Sequence, residues 1–125
     1  MKEDWHLVPH SYGITKRELR QHIIDSFLPS LGYGEVVAAA KFCDAYYFAV
    51  RTAGDEVRAV EVLVREDEEG RVRLRPYLEE FGARRRQCPQ EVLDALTPTD
   101  NPRAQEWRAS CAAWNERRRA AGKVW

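Results

Sequence analysis

Apolar residues recur with two different periods along the chain, and the switch between them marks out the elements. Val60, Val62 and Val64 share one face of a stretch running from Val57 to Val64, the two-residue period of a strand with one covered face. Ala45 to Arg51 alternates in the same way, with Tyr46, Phe48 and Val50 on one side and Tyr47 and Ala49 on the other. Val72 and Leu74 alternate with Arg71, Arg73 and Arg75, which predicts a further strand whose arginines form a solvated face or guard an edge. The turns between these strands are Ala53-Gly54-Asp55-Glu56 and the charged run Glu66 to Gly70. Glu35 to Phe42 is ambiguous because its alanines also suit a helix. The flanking glycines and the Val36-Val37 pair favour a strand. Trp5 to Tyr12 alternates loosely and predicts a first strand, broken by Gly13.

The helical period appears three times. Leu19, Ile23, Phe27 and Leu31 fall on one face with Ile24 and Leu28 beside them. Thr15-Lys16-Arg17-Glu18 opens that helix as a capping box, and Pro29 is expected to end or kink it. Pro89 to Leu96 reads as a short helix carrying Val92, Leu93 and Leu96 on one face, stopped by Thr97-Pro98. Asn101-Pro102 reads as an N-cap followed by a first-turn proline. The helix it opens carries Ala104, Trp107, Cys111 and Trp114 on an apolar stripe, with Arg108 and Asn115 on the polar face. The expected fold is α+β: an antiparallel sheet meander of about four to five strands, with one N-terminal helix and two C-terminal helices packed on one of its faces. The chain reads as a single domain over residues 1–125, with 120–125 as a frayed tail.

Composition narrows the class of protein. The 125 residues hold 20 Lys plus Arg and 20 Asp plus Glu, a formal net charge of zero. Such a balance argues against a dedicated nucleic-acid binder, which usually carries a basic excess. Three cysteines, Cys43, Cys88 and Cys111, are an odd number without close spacing, which fits a reducing compartment better than a disulfide framework. With no long apolar run and an acidic, mixed start, neither a membrane span nor a signal peptide is expected, and the expected location is cytoplasmic.

His6, His10 and Cys43 lack a zinc-ligand spacing and read as ordinary histidines and a thiol. Cys88 stands just before a helix, where the N-terminal field can lower a thiol pKa, but a structural role is the plainer reading. The paired carboxylates Glu66-Asp67-Glu68-Glu69 and Glu79-Glu80 sit in solvated-looking runs, and no glycine-rich phosphate loop is present. Neither a catalytic group nor a metal or cofactor is therefore expected. Arg84-Arg85-Arg86 and Arg117-Arg118-Arg119 are the best handle for nucleic acid or for an anionic small molecule. The polar loop Thr97 to Asn101 belongs either to a structural corner or to a binding surface.

One stretch resembles a known family. Cys88-Pro89, Val92-Leu93, Ala95-Leu96-Thr97-Pro98-Thr99-Asp100-Asn101, Glu106-Trp107-Arg108 and Cys111 match, in order, a C-terminal motif of small uncharacterised proteins of phages, plasmids and integrative elements. The match covers roughly the last third of the chain. It departs at Arg75 to Gly82, where that family has an acidic turn. The resemblance implies a mobile-element or prophage origin and transfers no activity. The leading expectation is a non-enzymatic protein that associates stoichiometrically with a host or phage protein, in defence or counter-defence. Its binding residues would be Arg84, Arg85, Arg86, Thr97, Thr99, Asp100, Asn101 and Arg108. The alternatives are a nucleic-acid-binding accessory protein and sequestration of an anionic small molecule. A homodimer is the default for a small domain with spare aromatics, Trp125 among them.

Overall fold

A computed structural model describes residues 5–42, 45–79 and 87–122. Its strands are β1 (His6–Leu7), β2 (Val36–Phe42), β3 (Ala45–Arg51), β4 (Val57–Glu66) and β5 (Val72–Leu78). The helices are α1 (Lys16–His22), α2 (Leu28–Ser30), α3 (Gln90–Asp94) and α4 (Pro102–Ala120), with a π-helical turn at Ile23–Phe27 between α1 and α2. All strand pairings are antiparallel, in the order β1-β5-β4-β3-β2. The fold is the α+β class predicted from periodicity, with the meander of β2 to β5 intact and β1 added outside β5. Among the described residues no helix is long and apolar enough to cross a membrane.

The N-terminal helix starts where the capping box predicts. The Glu18 N–H donates to Thr15 Oγ1 at 3.1 Å, and the Thr15 N–H donates to Glu18 Oε1 at 2.9 Å. The helical run passes through Pro29 and stops one residue later, at Ser30. The turn before the proline widens, so that the Leu28 N–H reaches back five residues to the Ile23 carbonyl. A proline ring clashes with the carbonyl four residues earlier, and a π turn relieves that clash.

The predicted arrangement of helices on one face is corrected by the packing. Side chains alternate across β3, and both of its faces are covered. Tyr46, Phe48 and Val50 pack with Val60, Val62, Leu74, Leu19, Ile23, Phe27 and Leu28 beneath the N-terminal helix. Ala45, Tyr47 and Ala49 pack with Val57, Ala59, Val92, Trp107 and Cys111 beneath α3 and α4. The molecule is thus three layers, helix on sheet on helices.

Other boundaries move for local reasons. β1 is shorter than the predicted Trp5 to Tyr12 stretch, since His10 takes φ 52 and turns the chain away. β5 is not an outer strand along its whole length: β1 pairs with Arg73 and Leu74, and the Val8 N–H donates to Val72 O at 2.9 Å. Pro76 is tolerated in β5 beyond the reach of β1, where the lost N–H costs no ladder bond. The expected tail from residue 120 begins as a helix cap, with the Ala121 N–H donating to Arg117 O and Gly122 at φ 73. Residues 123–125 lie outside the described residues.

Candidate functional site

The loop from Thr97 to Asn101 is tied down at both ends. The Thr97 N–H donates to Val57 O at 3.1 Å, and the Val57 N–H donates to Thr97 Oγ1 at 3.1 Å, so the loop is clipped to the start of β4. At the other end Asn101 Oδ1 accepts from the Arg103 and Ala104 N–H groups at 2.9 and 3.2 Å, the cap predicted for α4. Between them Thr99 Oγ1 accepts from the Asn101 N–H at 3.2 Å, and Thr99 O accepts from Gln105 Nε2 at 2.7 Å. Pro98 and Asp100 face solvent, while Thr97, Thr99 and Asn101 are half-buried.

Arg108 is the link between this loop and the interior. Its Nη1 donates to Thr97 O at 2.5 Å, and its Nη2 and Nε hold Glu79 Oε1 and Oε2 at 2.7 and 3.0 Å. Arg58 Nε donates to the same Oε1 at 2.7 Å. The Glu79 side chain is fully enclosed, at 0 % exposure, while the arginines keep 13 % and 17 %. A carboxylate withdrawn from water is tolerated only when opposite charge and hydrogen bonds replace its hydration, and this two-sided arginine clamp does both. Thr97 and Arg108 are therefore brought together. Arg84, Arg85 and Arg86 lie outside the described residues.

A second buried acid lies deeper in the same layer. Glu61 is 1 % exposed and accepts from the Tyr47 hydroxyl at 2.9 Å, with Tyr77 its register partner on β5. Cys88 is enclosed nearby. Burial pushes its thiol far above the ordinary cysteine range, and Cys111, Glu61 and Glu79 add to the shift. The N-terminal field considered for Cys88 is overruled, because α3 is a single short helix and the thiol is dry. Asn115, expected on the polar face of α4, turns inward instead. Its Nδ2 donates to Cys88 O at 2.8 Å and to Gln90 Oε1 at 2.9 Å, locking α4 to the approach of α3.

The remaining candidates are dispersed. His6 packs edge-on against Phe27, with ring centroids 5.2 Å apart, and Cys43 lies outside the described residues. Arg118 stacks over Trp114 at 4.8 Å, and Arg119 pairs with Glu116 at 3.1 Å on the last turns of α4. Among the described residues no group of three His, Cys, Asp or Glu is placed to hold a metal ion.

One surface feature joins residues that no single segment of the sequence singles out. A groove of about 570 Å³ runs between α1 and β2, lined by Lys16, Arg17, Arg20, Gln21, Lys41 and Tyr46. Its cations come from two elements far apart in sequence, and each is unremarkable in its own segment. Adjacent basic positions on a helix that opens beside an edge strand were the available signal. Compared with known proteins, the chain matches no family model, no curated protein and no solved structure.

Proposed function

We propose that the protein is a non-enzymatic binding module that associates stoichiometrically with a protein partner through the loop at Thr97 to Asn101. The observation that carries this reading is the way the loop is held. Its conformation is fixed by the Val57 clip, the Arg108 contact, the Gln105 bond and the Asn101 cap, while Pro98 and Asp100 are left facing water. A surface loop ordered before contact loses little conformational entropy on binding, and proline on either side of Asp100 stiffens it further. Arg108 supports the loop from within instead of meeting the partner itself. The C-terminal motif suggests a mobile element as the setting, with a host or phage protein as the partner.

The test is capture from a lysate of cells carrying such an element, using wild type beside Asp100→Arg. Asp100 is exposed, so the variant should fold with an unchanged thermal midpoint. A partner held in one-to-one proportion by wild type and lost by the variant is the expected result. Equal recovery of every captured protein by both would refute the assignment to this loop.

A further inference from the structure

β2 ends the sheet on the side away from β1, and β3 is its only sheet neighbour among the described residues. An outer strand presents backbone donors and acceptors that another extended chain can pair with. Two grooves flank the same stretch of this edge. On the α1 side lie Lys16, Arg17, Arg20 and Lys41 around Ala39 and Ala40. On the opposite side, Ala40 and Lys41 meet Pro89, Gln90 and Glu91 at the start of α3, enclosing about 310 Å³. Ala40 and Lys41 line both, so the edge is open above and below over the same residues.

We propose that this edge takes an extended acidic segment of a protein partner as a sixth strand. Side chains of an added strand alternate between the two faces. Every second residue would enter the basic groove, where a carboxylate meets Lys16, Arg20 and Lys41. The intervening residues would meet Ala40, Pro89, Gln90 and Glu91 beside Lys41, a surface with one carboxylate against one cation that holds an acid less well than the groove of four cations and admits small uncharged side chains. The recognised pattern is therefore an acid at alternate positions, not an acidic block.

The other occupants fit less well. Pairing two β2 edges would bring both sets of groove cations together, which like-charge repulsion opposes. A single nucleic-acid strand would find cations, but the groove's aromatic side chain, Tyr46, is only 3 % exposed and offers no face for a base to stack on. This site is distinct from the Thr97 to Asn101 loop and does not depend on it.

Fluorescence anisotropy with a short labelled peptide, glutamate alternating with serine and alanine, tests the idea. Controls are a peptide of the same composition with its glutamates consecutive and a short oligothymidylate. The expected result is preference for the alternating peptide, an affinity that falls with salt, and a loss of about tenfold or more in Arg20→Glu. Hydrogen exchange at Ala38 to Lys41 should slow in the complex. Lys41→Glu gives the same readout from the strand side, should the helix variant fold poorly. No binding at low salt, equal affinity for the consecutive-glutamate peptide without slowed exchange, or unchanged affinity in both variants overturns the proposal. Tighter binding of the oligothymidylate also overturns it, in favour of a nucleic-acid strand.

Discussion

Glu79 carries no solvent exposure, so its value to the protein rests on Arg58 and Arg108. Glu79→Gln keeps the shape and removes the charge. Arg58 and Arg108, both mostly buried, would then lose the carboxylate charge they clamp. A fully enclosed broken pair costs about 3–5 kcal/mol; the residual exposure of the arginines lowers the expectation to about 2–4 kcal/mol. The urea midpoint should fall accordingly, with little change in slope. Cys88 gives a pH dependence of definite sign. The folded thiol stays protonated above pH 9, whereas the unfolded thiol releases its proton there. Fewer protons on the unfolded chain mean that stability falls as pH rises past the ordinary thiol value, by up to about 1.4 kcal/mol per pH unit. Burial also raises Tyr33 and Tyr46, which adds loss of the same sign at still higher pH. Between pH 9 and 10 the slope should be shallower in Cys88→Ala than in wild type, as read by urea unfolding at each pH. Little of this was legible in the amino-acid pattern. Glu61 sits between Val60 and Val62 and looks like the wet side of a half-covered strand. It is dry because a second helical layer covers that side, and no local period encodes where a distant helix will pack.

At the level of the element, local chemistry was far more readable. The alternation of Val60, Val62 and Val64, the Thr15 capping box and the Asn101-Pro102 start all act within a few residues, so the chain carries their signal directly. The π turn at Ile23–Phe27 was not readable as such, because Pro29 announces a conflict and not its resolution. Asn101 separates the structural and binding roles of its loop. Asn101→Ala removes two hydrogen bonds to the first turn of α4 and should cost about 1–2 kcal/mol, whereas Asn101→Asp keeps an N-cap acceptor and should cost much less. Thermal unfolding of the two variants checks this. If alanine is neutral, the cap does not hold α4 and the loop is less rigid than proposed.

For the whole molecule, the decisive fact is that β3 is buried on both faces and belongs to both cores. Damage to either core should therefore be felt by the other. Phe48→Ala beneath the N-terminal helix and Trp107→Ala beneath the sheet's opposite face should each cost about 3–5 kcal/mol. In each variant, near-ultraviolet and far-ultraviolet melting should still coincide in a single transition. Separate transitions would mean the two layers unfold independently.

The two-sided burial of β3 also sets an order of events during synthesis. The N-terminal helix can cover its side of the sheet once β5 has left the ribosome. The other side, with Tyr47, Ala45, Ala49 and Val57, waits until α4 has followed. From Leu78 to Ala120 that wait lasts roughly 2–8 s at about 5–20 residues per second. During that interval the nascent chain carries the apolar residues of that side without the helices that cover them, the kind of exposed apolar stretch a ribosome-associated chaperone holds.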